Sequence, residues 1–426
     1  MRRLWRLLAE HRDYRLLVTA GLVSGLGDHV LAVGLTFLVY DLTGSTLASA
    51  GMLIVSVLPQ VVLASPAGVL VDRWDRRRTV TITYLVHAVG LLPLLLVSGS
   101  GRLWIMYAVA AGQAVLEQLS VPAEQALVPH LVGADELVSA NAVNSQVRNL
   151  ARLVGSGLGG VAAAVGGLAA ISLIDASSFV AAAVLVALIR SRVAHARLAD
   201  PELDSVAREP WWREWRAGLS LAMADRTLRI LLLFALITSV GEGVMGTLFA
   251  PFVRDVLHGG PQDYGLISGI QAVGGILGGL ALAAYGGRWA PRPLLGWGAV
   301  AFGLIDLVLF LYPIVYVAVG PALVCMVIVG FPGAAVVATF MTLAQSSTDD
   351  AFRGRVFGTV LGLEATGLLV GSLAAGWLAG PLGVVPVIAW QGVGYTLLGI
   401  LVLMTLARDE DAPGPASEPV AVPTVG

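Results

Sequence analysis

Apolar runs of about twenty residues or more recur along this chain, and they limit its fold more than any other feature. A helix needs about 20 mostly apolar residues to cross the hydrocarbon core of a bilayer. Twelve runs meet that length: residues 16–40, 46–71, 79–98, 103–122, 147–166, 168–190, 227–252, 264–286, 294–312, 315–341, 355–379 and 384–407. Barrel strands would be alternating segments of roughly 10 residues, and these runs are long and continuously apolar. The expected fold class is therefore an all-α polytopic membrane protein with twelve transmembrane helices. The first run is too long, and its centre too acidic, for a cleaved signal peptide.

Composition narrows the chemistry. Hydrophobic residues make up 57% of the 426 and charged residues 13%, where a soluble domain carries about 25% charged residues. All 26 basic residues are arginine. Without lysine there is no Walker A loop, whose Lys reaches the phosphates, and no Schiff-base amine. Cys325 is the single cysteine, which excludes an intramolecular disulfide and a Cys-cluster zinc site. No HExxH, Gly-x-Ser-x-Gly or paired-histidine set is present. No metal, cofactor or nucleic-acid partner is expected, and the class expected is not an enzyme.

Arginine placement gives orientation, because positive charge collects on the cytoplasmic side. With the N-terminus inside, only Arg102 and Arg254 of the 26 fall outside. An even span count then puts both termini in the cytoplasm. The outer loops are short, as at Asp41 to Ser45. One long inner segment, 191–225, divides the chain and contains Trp211-Trp212-Arg213-Glu214-Trp215-Arg216, a mixture suited to a helix at the headgroup level or to a simple anchor for the next span. The tail 408–426, with four prolines, reads as disordered.

The halves repeat. Gly27-Asp28-His29-Val30 and Val39-Tyr40-Asp41-Leu42 match Gly241-Glu242-Gly243-Val244 and Val253-Arg254-Asp255-Val256 at an offset of 214. Arg73-Trp74 matches Arg288-Trp289 at 215, and Leu153-Val154-Gly155-Ser156 matches Leu369-Val370-Gly371-Ser372 at 216. A drifting offset near half the chain length implies duplication of a six-helix unit. The domains expected are an N-terminal six-helix bundle at 1–190, a cytoplasmic linker at 191–225, a C-terminal six-helix bundle at 226–407 and the tail. Parallel six-plus-six repeats, related by an axis along the membrane normal, are the architecture of secondary transporters with a site between the halves.

These residues resemble the major facilitator superfamily over 10–408. Gly68-Val69-Leu70-Val71-Asp72-Arg73-Trp74-Asp75-Arg76-Arg77-Arg78 is similar to its motif A. The resemblance implies a cytoplasmic latch between the halves, made by Gly68, Asp72, Arg73, Arg76 and Arg77. Asp75 stands where the family has a small residue. Gly155-Ser156-Gly157-Leu158-Gly159-Gly160 resembles motif C of drug:proton antiporters, with Ser156 in place of the proline. Gly155, Gly159 and Gly160 at helical spacing serve either tight packing or that antiport motif. Pro122 to Pro129, Leu137 to Ser145, Asn149-Leu150-Ala151-Arg152 and Asp175 to Phe179 resemble the macrolide-efflux and enterobactin-exporter branch, which implies a bacterial inner (plasma) membrane protein.

A charge at the bilayer centre costs about 2.5–3.5 kcal/mol or more, so intramembrane ionisable residues need a reason. The resemblance implies that spans 1, 4, 7 and 10 line the cavity, which selects Asp28, Glu117 and Glu242 as proton-coupling or cation-binding candidates; the alternative is a structural partner for each. Gln113, Met245 and Phe249 are the substrate-cavity candidates. Arg148, Arg152 and Glu364 form either a charge network across the halves or separate packing groups. Asp175 and Asp306, on peripheral spans, read as structural, and His87 as a satisfied interior histidine. The function implied is a secondary active exporter, a proton antiporter acting as a monomer on a small amphipathic organic compound such as an antibiotic. A siderophore, metabolite or lipid transporter of the same superfamily is the alternative, and a membrane enzyme or sensor a remote one.

Overall fold

The computed structural model describes residues 7–72, 74–133, 136–190, 220, 223, 225–348 and 353–406, with the backbone alone at 64–72, 100, 138, 287 and 353–355. Most of the expected linker 191–225, including its tryptophan-arginine stretch, and the tail 408–426 lie outside the described residues.

Eleven α-helices follow one another among the described residues. They are α1 Arg12–Thr43, α2 Thr46–Asp72, α3 Arg76–Leu91, α4 Leu103–Leu131, α5 Leu137–Ala187, α6 Arg226–Pro251, α7 Pro261–Tyr285, α8 Pro291–Leu311, α9 Val319–Ser346, α10 Arg353–Leu382 and α11 Val384–Thr405. Sequence-local chemistry sets several ends. Asp75 caps α3 by accepting the Arg78 N–H at 2.8 Å, and Asp225 caps α6 by accepting the Leu228 N–H at 2.8 Å. Asp75 in motif A thus starts a helix. Gly44, at φ 61°, closes α1 by donating its N–H to Tyr40 O at 2.7 Å.

Ten segments are long and apolar enough to cross a membrane, against the twelve runs expected. Two differences account for this. Helix α4 is not among the ten, since Gln113, Glu117 and Gln118 lower its hydropathy. The runs 147–166 and 168–190 belong to one 51-residue helix, α5.

If straight, α5 would be about 76 Å long, more than twice the ~30 Å hydrocarbon core. It is not straight. Gly167 sits at φ 54°, ψ −144°, a conformation open to glycine. Contacts with α1 show what the break does. Going up α1, Tyr14 bonds to Ala140 O at 2.9 Å, Gly25 abuts Ala151, Gly155 abuts Leu26 and Gly159 abuts Val30. Beyond Gly167 the order inverts: Gly27 abuts Asp175 and Ser178, while Gly34 abuts Ile171. The chain reverses at Gly167, and both arms of α5 pack on α1.

The helix pairings of residues 7–190 recur in 225–406. Helix α1 packs on both arms of α5 as α6 packs on α10 and α11; α2 on α4 as α7 on α9; α3 on α4 and α5 as α8 on α9 and α11. Contacts across the halves repeat too, since α5 meets α7 and α10 meets α2. At the atomic level a Cβ on Gly155 would stand 2.7 Å from Leu26 O, and one on Gly371 closer still to Val240 O. Those positions are related by the offsets 216 and 214 read from the sequence. One buried core is built from Leu7 to Ile189; the other is built from the second half plus Val33, Phe37 and Tyr40 of α1.

Candidate functional site

Glu242 lies about 24 Å along α6 from its start, with its side chain exposed. It presents its carboxylate to a cavity of about 430 Å³. The cavity takes one face from each of several helices: Ala235, Thr238, Ser239 and Glu242 of α6, Val336, Val337, Phe340 and Met341 of α9, and Leu361, Glu364, Ala365 and Leu368 of α10. These spacings of three and four are single helical stripes. Val57 and Gln60 of α2 complete it from the other half, so the site sits between the halves. Tyr395 Oη donates to Glu242 Oε1 at 3.1 Å, and Gln391 Nε2 donates to the same oxygen at 3.3 Å. Gln391 and Tyr395, both on α11, were not singled out by sequence reasoning.

The first half carries the counterpart. Asp28, half-buried on α1, has Asp175, Glu117 and Glu124 as its acidic neighbours. Asp175 is fully buried, with Oδ1 bonded by the Ser178 hydroxyl at 3.3 Å and Oδ2 without a partner. Position 175 is the repeat equivalent of 391 at the offset of 216, so each repeated acid meets the same turn of the last span of its half. Glu124 accepts a bond from buried Tyr84 at 3.0 Å. Glu124 and Tyr84 were also missed, and Asp175 is drawn into the acid group rather than standing apart as a peripheral residue. Tyr at one spacing and Glu at another carry no helical-phase signal that would join two helices, so the sequence alone offered none.

Three expected cavity residues are elsewhere. Gln113 is buried with its amide engaged by His87: the ring nitrogen meets Oε1, and Nε2 donates to His87 O at 3.1 Å. His87, also stacked on Phe179 at 4.4 Å, is a bonded interior histidine. Met245 and Phe249 share the face of α6 that carries Glu242, but further along the helix, where the halves close directly. There Met245 packs on the second core, and Phe249 meets Tyr264 of α7 with ring centres 5.7 Å apart.

At that closed end, beyond Phe249, α1 and the π-helical turn Phe252–Val256 that extends α6 clasp each other. Tyr40 donates to Asp255 Oδ2, and Arg254 Nε pairs with Asp41 at 2.8 Å. The guanidinium of Arg254 also lies over the Tyr40 ring, 5.8 Å from its centre. Positions 40 and 41 are the equivalents of 254 and 255, so the clasp is reciprocal about the axis relating the halves.

No ion pair joins Arg148 or Arg152 to Glu364 among the described residues. Helices α5 and α10 are repeat equivalents and stand on opposite sides of that axis. Arg152 donates instead to Gln271 of α7 at 2.7 Å, and Arg148 has Glu124 as its acidic neighbour. Gly155 and Gly159 admit α1, and Gly160 admits α7, whose Gly265 would put a Cβ 2.8 Å from Gly160 Cα. Two arginines of motif A bond within the first half: Arg77 Nη1 to Ile189 O at 2.5 Å, Arg76 Nη1 to Ala126 O at 3.2 Å and to the His130 ring. Of Gly68 and Asp72 only the backbone is described, and Arg73 lies outside the described residues. No group of three His, Cys, Asp or Glu suited to a metal occurs among the described residues.

A long-helix fold duplicated about one axis, with a cavity between its halves and acids on equivalent helices, is that of a membrane transporter. The chain belongs to the transmembrane secretion effector family of the major facilitator superfamily, whose pattern matches residues 8–424. It is 26% identical over 403 residues to the multidrug efflux pump Tap of Mycolicibacterium fortuitum, covering 92% of this chain and 93% of the pump. It is 23% identical over 405 residues to the enterobactin exporter EntS of Citrobacter koseri, covering 94% of each. Its fold matches the crystal structure of a bacterial homologue of the iron transporter ferroportin in an inward-facing state, with a TM-score of 0.72 at 17% identity, over 92% of this chain and 98% of that one. The chain is thus a multi-pass membrane transporter, not an enzyme.

Proposed function

We propose that this chain is a secondary active exporter, a proton antiporter that moves a small amphipathic organic compound across the bacterial inner membrane as a monomer. Counting the two arms of α5 separately gives twelve spans, six in 1–190 and six in 226–407, each set a bundle. The arginine distribution then places the linker, the tail and both termini in the cytoplasm, and the clasped end outside.

The observation that carries the reading is the cavity at Glu242. It lies on the inner part of α6, between the halves, while Met245 and Phe249 on the same helical face are shut away toward the clasp. Alternating access asks for such a face: a stripe whose inner part is open in one state and whose outer part opens in the other. In the outward-open state the clasp parts and Met245 and Phe249 join the binding surface. The arginines of motif A, with Gly68, Asp72 and Arg73, then bridge the halves on the inner side. Asp28 with Asp175 and Glu117 takes up and releases the proton, because the environment of a buried carboxylate changes with access. Gly160 holds the close contact of α5 with α7 about which the halves rock, while Gly155 and Gly159 hold α5 against α1 within the first half.

Export direction rests on the efflux relatives. Reconstitution into proteoliposomes with an imposed pH gradient tests the reading: antibiotic accumulation should follow the gradient and collapse with a protonophore. Accumulation that ignores the gradient would rule out proton antiport. The second reading, a siderophore exporter, is favoured by the likeness to the enterobactin exporter, and profiling the medium of a deletion strain separates the two.

A further inference from the structure

The charge around the cavity of the second half does not balance. Glu242 and Glu364 both line it, and neither faces an arginine or histidine in its wall. Glu364 makes no hydrogen bond or ion pair with any described residue. Asp306, 1% exposed with an unpartnered Oδ2, acts on Glu242 and Tyr395 from behind the wall. Gln391, also 1% exposed, spends its Nε2 on Glu242 and leaves its Oε1 without a partner. Among the described residues the cation that acts on Glu242 is Arg152, already held by Gln271 and outside the lining. Asp306 Oδ2 and Gln391 Oε1 are buried acceptors without donors, which is costly, and Glu242 and Glu364 face the cavity with no cation in its wall, so the site lacks positive charge. Its other wall is aromatic: Phe234, Phe340 and Tyr395, whose ring faces attract cations.

Resting on the export reading above, we propose that the substrate is an organic cation, its charged nitrogen seated between Glu242 and Glu364 and its apolar body against Phe234, Phe340 and Tyr395. The site uses Glu364 for recognition, a residue that no ion pair explains. Val336, Val337, Leu361 and Leu368 supply surface for the hydrocarbon part, and Met341 a deformable edge suited to varied shapes. An anionic compound of the same size meets two carboxylates and is rejected. This separates the proposal from the siderophore reading, since a catecholate or carboxylate chelator would be excluded.

Equilibrium binding to the full-length protein in nanodiscs tests this without a gradient. The probes are tetraphenylphosphonium, a permanent cation, and tetraphenylborate, an anion of nearly the same shape. Saturable binding is expected for the cation only. Glu364→Gln and Glu242→Gln should each weaken it about tenfold or more, equal to about 1.4 kcal/mol. Glu364→Asp, which keeps the charge, should weaken it less than Glu364→Gln does, which a purely structural role would not produce. All variants must elute as folded, monodisperse protein, and the two Gln variants test the site independently. Saturable binding of the borate, no saturable binding of the phosphonium, or an unchanged dissociation constant in both Gln variants overturns the proposal. Loss of gradient-driven transport with phosphonium binding intact would strike the antiport reading and leave the cation site standing.

Discussion

The hydroxyl of Tyr395 on α11 and the carboxylate of Glu242 on α6 are joined by a hydrogen bond of 3.1 Å. The Tyr395 ring is fixed independently, tilted against Phe302 at 4.3 Å and edge-on to Phe234 at 6.3 Å. Tyr395→Phe therefore removes the bond and keeps the packing. A hydrogen bond to a charged group contributes about 1.5–3 kcal/mol. Transport in proteoliposomes should fall roughly tenfold to a hundredfold, with the melting temperature lowered by a few degrees at most. A variant with full transport would show that the bond has no part in the cycle.

The contact of α5 with α7 makes a prediction with its own control. A Cβ on Gly160 would stand 3.0 Å from Gln262 Cα and 3.1 Å from Gly265 Cα, and still closer to Pro261 O, all backbone atoms that cannot swing aside. Gly157, three residues earlier in the same glycine-rich stretch, has nothing within 4 Å of its would-be Cβ. Gly160→Ala should cost roughly 1–3 kcal/mol, as overpacking does, seen as a lower unfolding temperature in detergent. Gly157→Ala should leave it unchanged. Equal behaviour of the two variants would remove the interface from the account of this motif.

The sequence made the long helices, the duplication and the two acids Asp28 and Glu242 legible, because hydropathy and repeat spacing are carried by single residues along one strand of chain. It could not show partners, which depend on how one helix is turned toward another. Gln113 illustrates this: its spacing put it on the face of Glu117, yet His87 on α3 claims its amide. Arg148 and Glu364 hold equivalent positions in the two halves at the offset of 216, and that same symmetry sets them on opposite sides of the molecule. Glu124 escaped notice because its significance lies in Tyr84, forty residues away. The clasp was visible only as a repeat match, whose two copies turn out to grip each other.

That clasp is half-exposed, its Arg254 and Asp41 side chains 37% and 42% accessible. Exposed ion pairs contribute about 0.2–1 kcal/mol each. Arg254→Ala removes the pair and the contact with the Tyr40 ring together, a shift of about 1 kcal/mol or fivefold in the closed-to-open ratio. With Cys325 replaced by serine and Phe249 by cysteine, a membrane-impermeant maleimide added from outside should label the Arg254→Ala protein several times faster. Identical labelling rates would mean that the closed end is held by other contacts.

Asp28 and Asp175 make separable predictions, because their surroundings differ. Asp175 is fully buried, with one oxygen unpartnered and Asp28 and Glu117 as acidic neighbours. A carboxylate so placed is stabilised by no cation, and a neutral isostere relieves it. Asp175→Asn should leave the unfolding temperature unchanged or raise it. A fall of several degrees would show instead that Asp175 makes a favourable bond on which the fold depends. Asp28 is half-buried on the first span, which leaves it more open to proton exchange than Asp175. Asp28→Asn should therefore leave downhill substrate movement in place and abolish the proton movement coupled to it. A pH-sensitive dye trapped inside the proteoliposomes reads this directly: substrate added to the wild-type protein acidifies or alkalinises the lumen, and substrate added to Asp28→Asn should not. If the dye responds equally in both, the coupling proton resides elsewhere, and Glu242→Gln becomes the next variant to assay in the same vesicles.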